Sequence, residues 1–215
     1  MKKQLLALLF ISAMNSIAIA DDADTYLKAL QAELDSASKH KSEAQAVASL
    51  RKAAEKGDAK AQLKLGTAYA TGEGIVKDDV QAVAWFRKAA KQGDVKAQVN
   101  LGNMVAEGQG VTRDDIEAVK WYRKAAEQGD AIAQYNLGIA YTTGEGVGKD
   151  EFQAAAWFRK AAEQGLASAQ YNLGVAYAEG NGLVKDEAQA VTWFRKAAEQ
   201  GDSDTQANLK ELSKQ

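Results

Sequence analysis

The chain has 215 residues, no Cys and no Pro, with 27 Lys and Arg against 29 Asp and Glu. The missing Cys excludes disulfides, thiol chemistry and Cys-based metal sites, and the interspersed charge argues against nucleic acid or an anionic membrane as partner.

Residues 1–20 differ from the rest. "MKK" makes a positive start, "LLALLFISAM" (5–14) an apolar run and "AIA" (18–20) a small-residue cleavage site. That is the layout of a secretory signal peptide, with a run too short to span a bilayer. Cleavage is expected after Ala20, and loss of Lys2 and Lys3 moves the net charge from −2 to −4. No Cys follows the site, so the signal is not of the lipoprotein kind. No later stretch is continuously apolar, so the mature chain is expected to be soluble, periplasmic or secreted, without membrane insertion. An exported chain without disulfides depends on its apolar core.

Over 21–56, Tyr26, Leu27, Leu30 and Leu34 form one helical stripe, and "SEAQAVASLRKAAEKG" (42–57) imitates a helix that recurs further on, with Ser49 in place of Trp. This segment reads as a capping helix pair. From residue 57 the chain repeats every 36 residues: 57–92, 93–128, 129–164 and 165–200. "WFRKAAEQG" stands at 157–165 and again at 193–201, with close copies at 85–93 and 121–129. All four Trp (Trp85, Trp121, Trp157, Trp193) share one repeat position, and of the 18 Gly only Gly148 lies outside the repeated positions. A fixed period of this size marks a solenoid.

Each unit predicts two helices. The first runs over about 58–71, with Ala61, Leu65, Ala68 and Tyr69 on one face and Gly72 as the stop. The second opens at Asp78 with Gln81 three residues on, and the pattern recurs as Asp114 and Glu117, Asp150 and Gln153, and Asp186 and Gln189. Such pairs resemble a capping box. The aromatic pair supplies large knobs, Ala-Ala the hole for an adjacent helix, and Arg-Lys a favourable charge at the helix C-terminus. Gly66, Gly102, Gly138 and Gly174 sit inside the first helix, where Gly costs roughly 1 kcal/mol relative to Ala. They imply a close helix approach, with a Trp or an Ala-Ala stripe as the expected occupant. Residues 201–215, with Leu209 and Leu212, complete the chain as a terminal capping helix, giving eleven helices in all.

"AQYNLGIAYTTGEGVGKDEFQAAAWFRKAAEQG" (133–165) resembles a Sel1-like repeat, a 36-residue relative of the tetratricopeptide repeat. The resemblance covers four consecutive units and implies an all-α, right-handed α/α solenoid of about five helix pairs plus the C-terminal helix. Departures are small. Met104 and Val105 replace the usual Ala-Tyr, Leu166 replaces the Asp that starts the first helix elsewhere, and the loop Pro is missing.

Residues that suggest chemistry have plainer readings. His40, the single His, lies in polar "SKHKSE" and reads as a solvated loop residue. "GEGVGKDE" (144–151) lacks the first Gly of a phosphate loop, has Asp150 where Ser or Thr belongs, and follows a helix instead of a strand. Asp78 and Asp79 form a carboxylate pair, but their recurrence at every helix start favours capping over acid–base work. No catalytic residue, metal site or cofactor is assigned.

Surface remains. By resemblance to tetratricopeptide arrays, the first helix of each pair lines a concave groove. Its outward positions include Lys64, Asn100, Asn136 and Asn172, flanked by Tyr135 and Tyr171. An Asn ladder there offers donor and acceptor to an extended peptide, and the Tyr residues offer rigid contact area. The same Asn residues also fit a second role, bracing a turn or a neighbouring helix. The favoured function is a non-enzymatic, exported scaffold that binds a protein or extended peptide. The resemblance implies partners such as envelope proteins or secreted effectors, and immunity against a secreted phospholipase is one such role. Alternatives are a secreted factor binding host proteins, or an envelope enzyme acting on cell-wall material or a β-lactam.

Overall fold

Each 36-residue unit carries two helix starts and two glycine stops, and the structure, a computed structural model that describes residues 20–200, converts each into a helix end. Helix α1 (Ala20–Glu55) comes first. Then follow the pairs α2 (Ala59–Thr71) and α3 (Asp79–Lys91), α4 (Val95–Glu107) and α5 (Asp115–Glu127), α6 (Ala131–Thr143) and α7 (Glu151–Glu163), and α8 (Ala167–Glu179) and α9 (Glu187–Ala198). Among the described residues there are nine helices and no strand. Each helix from α2 on packs against the next along the chain, which makes an α/α solenoid.

The chain divides into two units, one ending at Ala46 and one beginning at Val47. Helix α1 runs through the boundary as one 36-residue helix and not as the expected pair. It contains neither Gly nor Pro, so the polar stretch near residue 40 has nothing to stop a helix. His40 therefore lies in a helix, not in a loop. In the first unit Tyr26, Leu27 and Leu34 are about half exposed. The terminal helix read over 201–215 lies outside the described residues.

The helix starts follow the Asp residues, with one difference. Asp78, Asp114, Asp150 and Asp186 accept from the backbone N–H three residues on, as N-caps do. The returning half of a capping box is absent among the described residues. The cap's own N–H is already spent on the preceding first helix: Asp78 donates to the Tyr69 carbonyl, Asp114 to Val105, Asp150 to Tyr141 and Asp186 to Tyr177. Asp58, Asp94 and Asp130 cap first helices, whereas Leu166 offers no side-chain bond.

Leu65, Leu101, Leu137 and Leu173 are fully buried along the stack. A Cβ built on Gly66, Gly102, Gly138 or Gly174 would lie 2.6, 2.6, 2.5 or 2.7 Å from the ring of Phe86, Tyr122, Phe158 or Phe194. The close approach is present, but its occupant is the aromatic after the Trp, on the second helix of the same unit. Adjacent residues are about 100° apart on a helix, so only one of the two aromatics faces the partner. The Trp rings instead lie under the Lys three residues on, at 3.7, 4.6, 3.9 and 4.1 Å from Lys88, Lys124, Lys160 and Lys196.

Two further ties join consecutive units. Buried Gln62, Gln98, Gln134 and Gln170 donate to the carbonyls of Ala54, Ala90, Ala126 and Ala162 at the end of the preceding helix (3.0–3.2 Å). Their side-chain oxygens accept from Gln92, Gln128, Gln164 and Gln200. The sequence signal for this ladder is the recurrence of "AQ" and "QG" at the same interval. The second tie is a clasp from Arg to the Tyr hydroxyl of the next unit: Arg51 to Tyr69 (2.6 Å), Arg123 to Tyr141 and Arg159 to Tyr177 (both 2.9 Å). Val105 removes the clasp at Arg87, which turns to Glu117 (2.9 Å) and leaves its Nε buried without a partner.

Candidate partner-binding site

With the aromatics, Gln, Arg and Ala of the repeated phrase committed to packing, the outward positions of α2, α4, α6 and α8 are the candidate partner surface. Lys64 is exposed, and Asn100, Asn136 and Asn172 are half-buried. The three Asn residues are not equivalent. Asn136 Nδ2 donates to Asn103 Oδ1 on the preceding first helix (3.1 Å), and that oxygen also accepts from the Tyr122 hydroxyl (2.9 Å). Asn136 is thus a brace. One unit later Ile139 stands where Asn103 stood, so Asn172 has no such acceptor. One unit earlier the position is Thr67, whose hydroxyl donates to the Leu63 carbonyl. The tilted rings of Tyr135 and Tyr171 pack on Phe158 and Phe194 at 5.8 and 5.6 Å between centroids, half-buried over the rings that fill the glycine slots.

Two recesses open between consecutive units on this side. The first, about 170 Å³, is lined by Asp115, Val119, Tyr122, Asn136, Ile139 and Glu145 among others. The second, about 110 Å³, is lined by the residues 36 positions on: Glu151, Ala155, Phe158, Asn172, Val175 and Asn181. The two share a frame and differ in chemistry. Beside the first recess, Arg113 bridges Asp115 (2.9 Å) and Glu145 (3.1 Å) across two units, and these carboxylates hold its guanidinium above its ordinary pKa. Burial pushes the Tyr122 phenol up to about 12, helped by the charges of Glu107 and Asp115. Both linings are mainly apolar, and the second carries one carboxylate, Glu151, where the first carries Asp115 and Glu145.

Other candidates resolve as structure. Lys149, in the loop that imitated a phosphate site, pairs with Glu151 (3.2 Å), and Asp79 pairs with Lys77 (3.5 Å). Among the described residues no cluster of His, Asp and Glu is arranged to hold a metal ion. No helix among them is long and apolar enough to cross a membrane.

The Sel1 repeat is matched four times in succession, over residues 59–94, 95–130, 131–166 and 167–202. The chain belongs to the Sel1-repeat family. Its Sel1 repeats are similar to those of c5321, a protective antigen present in uropathogenic Escherichia coli strains and displaying an SLR fold. The identity is 41% with a TM-score of 0.77, over 79% of this chain and 36% of that one. A Sel1 repeat protein from Oxalobacter formigenes matches at 41% identity and a TM-score of 0.72, over 79% of this chain and 49% of that one. The chain thus spans about a third to a half of the length of these two Sel1 proteins. Immunity protein Pa5087 from Pseudomonas aeruginosa matches at 26% identity and a TM-score of 0.50, over 76% and 60% of the two chains. A search among curated proteins finds no match.

Proposed function

We propose that this Sel1-repeat chain is an exported, non-enzymatic scaffold that holds a protein or extended peptide on the concave face lined by its first helices. One observation carries the reading: Asn100 and Asn172, which have no side-chain hydrogen bond among the described residues, stand on the face where the two recesses open. Lys64, Asn136, Tyr135 and Tyr171 complete that face, the last three as half-packed borders. Similarity to an immunity protein supports a protein partner, and immunity against a secreted effector such as a phospholipase is the role we favour. Similarity to a protective antigen favours a second reading, a secreted factor that meets host proteins. An envelope enzyme is the weaker alternative: a phenol that keeps its proton to about pH 12, as Tyr122 does, is a poor base at neutral pH.

The test is capture of partners from an envelope fraction and from host extract, followed by mass spectrometry and N-terminal sequencing, which should begin at Asp21. Asn100→Ala and Asn172→Ala should each weaken binding of the captured protein by about 1–2 kcal/mol with circular dichroism unchanged. Normal binding by both, together with loss on Lys160→Ala, would place the interface on the other side.

A further inference from the structure

The two recesses are copies of one frame, 36 residues apart, and their linings have diverged in a definite direction. Beside the first, Asp115 and Glu145 line the opening and Glu107 lies near enough to act on Tyr122, with Arg113 as the one cation pairing there among the described residues. Three carboxylates against one guanidinium leave a local excess of negative charge. The second recess replaces Tyr122 by Phe158 and Glu145 by Asn181, keeps one carboxylate as Glu151 in place of Asp115, and shares Ile139 with the first. Ile139, Ala154, Ala155, Phe158 and Val175 make its apolar floor, Thr142, Glu151, Asn172 and Asn181 its polar members, and about 110 Å³ of space lies between them. An apolar cavity of about 150 Å³ takes a benzene, so this one suits an aliphatic side chain and is too small for an indole.

The polar groups around the second recess narrow the choice further. Thr142 donates to the Gly138 carbonyl, Glu151 pairs with Lys149, and Asn181 donates to Glu179. Asn172 alone among these has an uncommitted amide, able to give and accept one peptide hydrogen bond. A helical ligand spends its interior peptide groups internally, whereas an extended one keeps them free to pair with that amide. Spacing agrees. The Asn136–Asn103 bond puts α4 and α6 in side-chain contact, so their axes stand about 10 Å apart. At about 3.1 Å per residue and about three residues per turn, an extended chain of polyproline II type covers one such step in about three residues and returns its side chains to the same face.

We propose that the first-helix face reads an extended partner segment carrying a Lys or Arg side chain at the first recess and an aliphatic side chain in the second, about three residues apart. This rests on the reading of that face as the partner surface, and it adds the chemistry of the partner. The negative rim attracts the cation and rejects an acidic residue, the apolar recess holds the aliphatic group, and Asn172 pairs with the peptide group beside it.

The test uses the full chain and three blocked synthetic hexapeptides, followed by NMR titration. The reference peptide is Ser-Arg-Gly-Ser-Leu-Ser; one control has Glu for Arg and the other Ser for Leu. The reference should shift the Asn172 side-chain amide and the backbone amides of Ile139 and Val175, and bind about fivefold or more tightly than either control. Glu145→Lys, at an exposed loop position, should reverse the preference between the Arg and Glu peptides. Equal binding of the Arg and Glu peptides, or a preference untouched by Glu145→Lys, overturns the charge assignment. Equal binding of the Leu and Ser peptides overturns the apolar one. Shifts confined to the second helices, or none with any peptide, overturn the inference entirely. The wider reading fails separately, when the protein captured from the envelope still binds Asn100→Ala and Asn172→Ala normally.

Discussion

Replacing Gly138 by Ala adds one carbon atom, and two effects of opposite sign compete. Helix propensity favours Ala over Gly by about 1 kcal/mol at an exposed interior position. Sterics oppose it. The new Cβ would stand 2.5 Å from Phe158 Cε1, 2.6 Å from Cδ1 and 3.0 Å from Cζ. Carbon atoms rest at about 3.5–4.0 Å, so either the ring or the helix must retreat by about 1 Å. Phe158 is 5% exposed and has Tyr135 against it, so the ring can give way only toward the small recess that it lines. Overpacking of this kind costs about 1–3 kcal/mol, which leaves a net loss of about 1 kcal/mol after the propensity gain. Thermal unfolding followed by circular dichroism at 222 nm reads the difference, as a fall in melting temperature of about 2–4 °C per kcal/mol for a chain of this size. The decisive control is Phe158→Leu, a smaller group in the same slot, in which Gly138→Ala should become neutral or stabilising through coupling of the two sites. If Gly138→Ala stabilises the wild-type background, the ring does not need the missing side chain and the packing argument is wrong.

Restoring the family pair in the second unit with Met104→Ala and Val105→Tyr together should give Arg87 its clasp and raise stability by about 1 kcal/mol, measured by thermal melting. Val105→Tyr alone should do worse, because it adds bulk at a fully buried position while buried Met104 stays larger than the family's Ala. Gln134→Leu should cost about 1–3 kcal/mol in urea, because it leaves the Ala126 carbonyl and the Gln164 amide without this partner. Tyr122 ionises near 10 when unfolded and at about 12 when folded, so the native state keeps that proton longer and loses stability as pH rises between those values. Tyr122→Phe, the residue found at that position in the other three units, should remove this part of the alkaline loss, as seen by comparing urea midpoints at about pH 9 and about pH 11.5.

The period of 36 fixed the helix pairs, because Asp before and Gly after each run are local signals that need no tertiary information. α1 departs from expectation for the same local reason: residues 42–57 imitate a repeat helix, yet no breaker separates them from the stripe at Tyr26. The glycine slot was legible but its occupant was not, since Trp157 and Phe158 are neighbours in sequence and only the packed helix distinguishes their directions. The Asn ladder shows the limit most clearly. Asn100, Asn136 and Asn172 are one letter at one repeat position, and their difference lies 33 residues upstream, where Thr67, Asn103 and Ile139 decide which amide is already bonded.

The clasp that Val105 removes also sets where the array bends. Repeats held only by their neighbours act as joints in series, and compliance gathers at the slackest joint. The joints from α1 to α2, from α5 to α6 and from α7 to α8 each carry an Arg–Tyr bond, and the joint from α3 to α4 does not. Its substitute, Arg87 with Glu117, is about a third exposed on both sides and is weakened by solvent. Helices α4 to α8, which frame both recesses, therefore form the stiff segment, while the first pair hinges against it. A ligand seated in the stiff part has little ordering entropy to overcome, and a longer partner that reaches α2 bends a joint already built to yield.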